Sequence, residues 1–142
     1  MIVHICRKEH FNAAHRLFNP TWSKEKNQEV FGPCANEHYH GHNFELIVTV
    51  KGEPDPDTAC VMDLKVLGRI IKEHICDQVD HKNLNLDVPF LAGKIPSCET
   101  MVVEFWKILD REISAAPGQA QLHSIELFET NKNFVRFFGE GL

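Results

Sequence analysis

The stretch His40-Gly41-His42-Asn43-Phe44-Glu45-Leu46-Ile47-Val48-Thr49-Val50-Lys51 decides how the rest of the chain is read. From His42 to Lys51 the even positions hold Phe44, Leu46, Val48 and Val50, while the odd ones include Asn43, Glu45, Thr49 and Lys51. Successive side chains of a strand point to opposite faces, so this period of two predicts a strand with one apolar and one mostly polar face. His40 and His42 share the parity of Phe44, which places both imidazoles on the apolar face, where they can chelate one ion together. His38 shares that parity as well, so His38 and His40 form a competing pair, and spacing alone leaves the choice open.

Working outward, residues 2 to 15 also read as extended, with Val3, Ile5, Phe11, Ala13 and His15 on one parity. If the two strands pair antiparallel, His15 at the end of the first meets His40 and His42 at the start of the second. Three neutral imidazoles without a carboxylate favour zinc, and three protein ligands leave a fourth position for water or substrate.

Residues 63 to 79 switch to helical spacing, with Leu64, Leu67, Ile71, Ile75 and Val79 on one stripe and Asp63 as N-cap. A second helix starts near Ser97, carries Val102, Phe105, Trp106, Leu109 and Ile113, and stops at Pro117-Gly118. Strands at about 121 to 129 and 133 to 138 follow. The order β-β-α-α-β-β predicts one α+β domain over 1–142, a four-stranded antiparallel sheet with two helices on one face. Residues 16 to 39 show no periodicity and read as a long loop of the kind that carries function.

The chain has 142 residues, 43% hydrophobic and 25% charged, with a net charge of −5. The acidic balance argues against nucleic acid as a partner, and no apolar run is long enough for a membrane helix. Charged residues at Arg7, Lys8 and Glu9 stand where a secretory signal would be apolar, so a cytoplasmic location is expected. Five cysteines, an odd number without a Cys-x-x-Cys pair, argue against a disulfide framework. Cys6, Cys60 and Cys76 read as ordinary buried residues.

Five motifs occur in order: Phe11-Asn12-Ala13-Ala14-His15, Cys34 six residues before His40-Gly41-His42-Asn43, Asp80-His81-Lys82-Asn83-Leu84, Pro96-Ser97-Cys98-Glu99, and Phe128-Glu129-Thr130. Together they resemble the 6-pyruvoyltetrahydropterin synthase family. The resemblance implies the tunnelling fold (T-fold), in which trimers close a continuous barrel and two trimers stack as a homohexamer, with active sites at subunit interfaces. It implies a zinc-dependent lyase acting on a small-molecule pterin, 7,8-dihydroneopterin triphosphate, with no redox cofactor. Residue by residue, it makes His15, His40 and His42 the zinc ligands, Cys34 the catalytic base, and Asp80 and His81 the partners for the second proton. Glu129 would anchor the pterin, with Ser97, Cys98 and Glu99 in the motif lining the same pocket.

A thiolate beside cationic groups has a lowered pKa and suits proton removal from carbon. An aspartate next to a histidine orients the ring and stabilises its charged form. A carboxylate can accept two hydrogen bonds from the pterin ring N–H and amino group. Glu37, three residues before His40, is a second candidate base. A carboxylate there could instead drive side-chain cleavage to 6-hydroxymethyldihydropterin, as in the folate branch of the family. The 6-carboxytetrahydropterin branch, which feeds queuosine synthesis, has its cysteine four residues before the first His of the His-Gly-His motif, where this chain has Asn36. Arg16 and Lys82 are the basic residues nearest the motifs. A non-enzymatic alternative makes Cys34 a fourth ligand of a closed, structural zinc site.

Overall fold

The computed structural model describes residues 1–142. Its frame is the pairing of β1 (Val3–His15) with β2 (His40–Gly52), antiparallel over thirteen residues from Val3 opposite Gly52 to His15 opposite His40. The expected parity holds: Phe11, Ala13 and His15 of β1 and Phe44, Leu46, Val48 and Val50 of β2 are buried on one face. β2 then pairs antiparallel with β4 (Gln121–Phe128), through a bulge at Thr49/Val50, and β4 with β5 (Phe134–Phe137).

The sheet has five strands where four were expected. The extra strand, β3 (Lys82–Asn83), pairs parallel with Ala13 and Ala14 and gives the order β3-β1-β2-β4-β5, so the sheet is mixed and not wholly antiparallel. Two residues are too few to show a period of two, which is why the alternation did not reveal them. Past them, the β1 edge from Val3 to Asn12 carries no strand partner.

Two helical segments cover the apolar face. α2 (Leu64–Ile71) starts at Asp63, whose carboxylate accepts the Lys65 N–H. It runs through a π-helical turn, Lys72–Cys76, into a last turn, α3 (Asp77–Val79). Leu67, Ile71, Ile75 and Val79 recur at every fourth residue, and over twelve residues this stripe drifts by about 120° from a 3.6-residue helix. The π turn takes up most of that drift by inserting one residue, and all four side chains are fully buried while Leu64 is exposed. α4 (Cys98–Ala115) is capped by Ser97 and buries Val102, Phe105, Leu109 and Ile113, with Trp106 at the margin.

Residues 16 to 39 are not featureless. They contain α1 (Lys24–Phe31), with Ser23 as N-cap and Gly32-Pro33 as its stop, followed by a 3-10 turn, Gly32–Ala35. α1 is mostly polar and buries only Asn27, whose side chain bonds to the backbone of Asn19 and Ser23. It therefore lacks the apolar stripe that reveals a helix. No helix is long and apolar enough to cross a membrane.

The cysteines also differ from expectation. Cys76 is buried, but Cys6 and Cys60 are exposed: Cys6 lies on the polar parity of β1, and Cys60 follows a turn built on Asp55. Burial pushes the Cys76 thiol up to about 12. Alkylation at pH 8 with peptide mapping should modify Cys6 and Cys60 in the folded protein and leave Cys76 unmodified until denaturant is added. Ile71→Ala, which empties a fully buried position, should cost about 2–5 kcal/mol in urea unfolding, whereas Leu64→Ala should stay within about 0.5 kcal/mol.

Candidate metal centre and adjoining cavity

The end of the β1–β2 ladder brings His15, His40 and His42 together. One ring nitrogen from each lies within 4.8 Å of the others. His38 is exposed and outside this group, so of the two His-x-His pairs it is His40 and His42 that the fold brings to His15. His15 is 1% exposed, and its Nδ1 donates to the Pro96 carbonyl at 2.8 Å once the ring is neutral with the proton there. That bond fixes the tautomer and aims the Nε2 lone pair into the cluster.

His15 Nε2, His40 Nδ1 and His42 Nε2 are buried without a hydrogen-bond partner. Buried polar atoms are rarely left unpaired, so three orphaned nitrogens converging on one point fit a cation. Desolvation is the main cause that lowers the pKa of His15 and of His40, which keeps those rings neutral and able to donate electron pairs at pH 7. Cys34 is half-buried and does not belong to the group, so nothing here closes the site as a structural zinc module would need. Three imidazoles and no thiolate match the donor set of an open zinc site.

Glu129, just past β4, stands beside the cluster. Its oxygens lie 3.6 Å from His15 Nε2 and 3.6 Å from His42 Nε2, beyond hydrogen-bond length. The Cys98 thiol contacts the same carboxylate at 3.5 Å, and burial pushes that thiol up strongly, so it stays an S–H group facing the carboxylate. Ser97, Cys98, Glu99 and Glu129 line one cavity of about 380 Å³, with Leu17 and the β4–β5 turn residues Lys132 and Asn133. Four predicted substrate-binding residues thus share one space.

The other predicted residues lie apart from that cavity within this chain. Cys34 ends up next to the chain leaving β1, its carbonyl accepting the Leu17 N–H at 2.8 Å. Glu37 is exposed and lines a separate depression with Arg16, Phe18 and Lys24. Asp80 and His81 pair with each other at 2.9 Å on the β3 side of the sheet, with the His81 side chain 82% exposed. The Asn12 N–H donates to Asp80 and its carbonyl accepts the His81 N–H, with His81 in the left-handed region at φ 57°. The Asn12 N–H is the main cause holding the Asp80 carboxyl below its usual range.

Sequence reading missed the Pro96 carbonyl, because a backbone acceptor has no side-chain signature. It also missed Lys132 and Asn133, which lie at the junction of the last two expected strands.

The chain matches the family described as 6-pyruvoyl tetrahydropterin synthase over residues 4–140. It belongs to that family. It is 41% identical over 139 residues to the 6-pyruvoyl tetrahydrobiopterin synthase of Poecilia reticulata, covering 98% of this chain and 92% of that one. The human protein of the same name is 38% identical over 136 residues, covering 96% and 91%. The structure of the Caenorhabditis elegans 6-pyruvoyl tetrahydropterin synthase superposes with a TM-score of 0.90 at 34% identity, over 99% of this chain and 97% of that one.

Zinc titration with a chromogenic competitor should give one site per chain at pH 7, and His40→Ala or His42→Ala should lose it. Protons compete for the same nitrogens, and the lowered values of His15 and His40 put that competition below the ordinary imidazole value near 6.5. Affinity should therefore be full at pH 7 and fall as the pH drops through 6 and below.

Proposed function

We propose that residues 1–142 form one catalytic domain that converts 7,8-dihydroneopterin triphosphate to 6-pyruvoyltetrahydropterin with loss of triphosphate, and that His15, His40 and His42 hold its zinc. One observation carries this reading: the three orphaned imidazole nitrogens converge beside Glu129 and its cavity, in a chain of this family. When bound, zinc supplies Lewis acidity that orients the side-chain diol of the pterin and acidifies the neighbouring C–H.

The chain's own residues do the rest. Glu129 accepts two hydrogen bonds from the ring N–H and amino group of the pterin, and the Cys98 S–H steadies its carboxylate from behind. Cys34 takes a proton from side-chain carbon, and Asp80 holds His81 to exchange the second proton as triphosphate leaves and the product tautomerises. The exposed His81 suits a site completed by a neighbouring copy. The unpaired β1 edge and the short outer strand β5 offer the surfaces for such an assembly, a homohexamer built of two trimers. A cytoplasmic location goes with this reading.

Incubating zinc-loaded protein with 7,8-dihydroneopterin triphosphate and identifying products by mass spectrometry should give 6-pyruvoyltetrahydropterin and triphosphate. Finding only 6-hydroxymethyldihydropterin or only 6-carboxytetrahydropterin would remove the assignment. Cys34→Ala should fold, keep its zinc and lose at least about a hundredfold in kcat. Survival of pyruvoyl product formation in that variant, with loss in Glu37→Ala, would move the base to Glu37.

A further inference from the structure

The Glu129 carboxylate has surroundings that are unusual for an acid. Oε2 lies 3.6 Å from His15 Nε2, and Oε1 lies 3.6 Å from His42 Nε2. His15 donates its ring proton to the Pro96 carbonyl, so its Nε2 presents a lone pair. An acceptor nitrogen and an acceptor oxygen thus face each other, an arrangement that calls for a proton or a cation between them. A proton bridge would draw the two atoms to about 3 Å. Two ligands each about 2.1 Å from one tetrahedral ion stand about 3.4 Å apart, which is closer to the spacing present here.

The residue also combines a fixed backbone with a free carboxylate. The Glu129 N–H donates to the Asn133 carbonyl at 3.1 Å, within a turn where Thr130 Oγ1 accepts the N–H groups of Lys132 and Asn133. The one hydrogen-bond donor that reaches the carboxylate is the Cys98 thiol at 3.5 Å, a weak donor. No Lys or Arg forms an ion pair with it, although Lys132 lines the same cavity. A carboxylate offers about four acceptor sites, so most of the capacity of this one is unfilled. Glu129 therefore answers to two demands: a cation held by the histidines, and the donors of a ligand in the cavity of about 380 Å³ that it lines with Ser97, Cys98 and Glu99.

We propose that Glu129 is a displaceable fourth metal ligand, closing the position left by His15, His40 and His42 in the ligand-free protein and leaving it when a pterin enters the cavity. The assignment rests on the function proposed above. Closure needs only rotation of the side chain, because the carboxylate already stands near ligand spacing from two of the three nitrogens. A ring N–H and an amino group side by side then replace one metal bond with two hydrogen bonds. Only a ligand with that paired donor edge opens the position, so a diol without a pterin does not reach the metal. Recognition of the ring and access to the metal become one event, and the selectivity lies in their coupling.

The test uses protein loaded with Co2+ in place of zinc, whose visible absorption reports its ligands, titrated at pH 8 with imidazole as a probe of the open position. The probe binds as a neutral molecule, so loss of the carboxylate charge does not by itself attract it. Imidazole should bind wild type at least about tenfold more weakly than Glu129→Ala. Saturating 7,8-dihydropterin, which has the ring donors and no side chain, should raise the wild-type affinity to that of the variant. Equal imidazole affinity in wild type and Glu129→Ala would overturn the fourth ligand, and no gain on adding dihydropterin to wild type would overturn its displacement. The wild-type comparison needs no substitution and stands if Glu129→Ala does not fold. If both gains appear but wild type does not turn over dihydroneopterin triphosphate, the proposed reaction fails and the exchange at Glu129 stands.

Discussion

The register of β1 against β2 is the constraint on which the rest depends. With His15 opposite His40 and Ala13 opposite His42, the three imidazoles share a face and an end of the sheet. A slip of one residue would turn Phe44, Leu46, Val48 and Val50 to the polar side, so burial of that row enforces the pairing. A slip of two would keep the faces but move His15 off the pair. What excludes it is the fixed surroundings of His15: full burial, and the bond from Nδ1 to the Pro96 carbonyl.

That bond ties the sheet to α4. Pro96 precedes Ser97, the N-cap, and Cys98, the first helical residue, which contacts Glu129. One short segment therefore touches a candidate metal ligand, caps a helix and backs the carboxylate of the cavity. The core under α4, with Phe105 against both Phe11 and Phe90, holds that segment in place. Hydrophobic packing thus sets the geometry of polar groups that have little freedom of their own.

Much of this is legible in the sequence because it follows from periods. Alternation along β2 revealed the buried row and the imidazoles with it, and the capping residues Asp63 and Ser97 marked both core helices. What was not legible lacks a period. β3 has two residues, α1 has no apolar stripe and is held by Asn27 and its caps, and the Pro96 contribution is a carbonyl. Cys6 and Cys60 were misjudged because residue type was weighed above position. On the parity of Lys8 and His10, Cys6 faces outward with them.

The same contrast explains why the candidate metal ligands and the proposed proton-transfer residues differ within one chain. The histidines are positioned by an inward-facing ladder and are complete in a single copy. Asp80 and His81 are instead held by backbone bonds to Asn12, on the polar parity of β1 and away from the core. That arrangement ties the pair to β1 while leaving His81 in solvent, at an edge where a two-residue strand lies and the unpaired length of β1 begins. An ion pair so exposed adds little to stability. His81, in the left-handed region and open to solvent, is thus placed to serve the assembly proposed above, whereas the three imidazoles already meet within one chain.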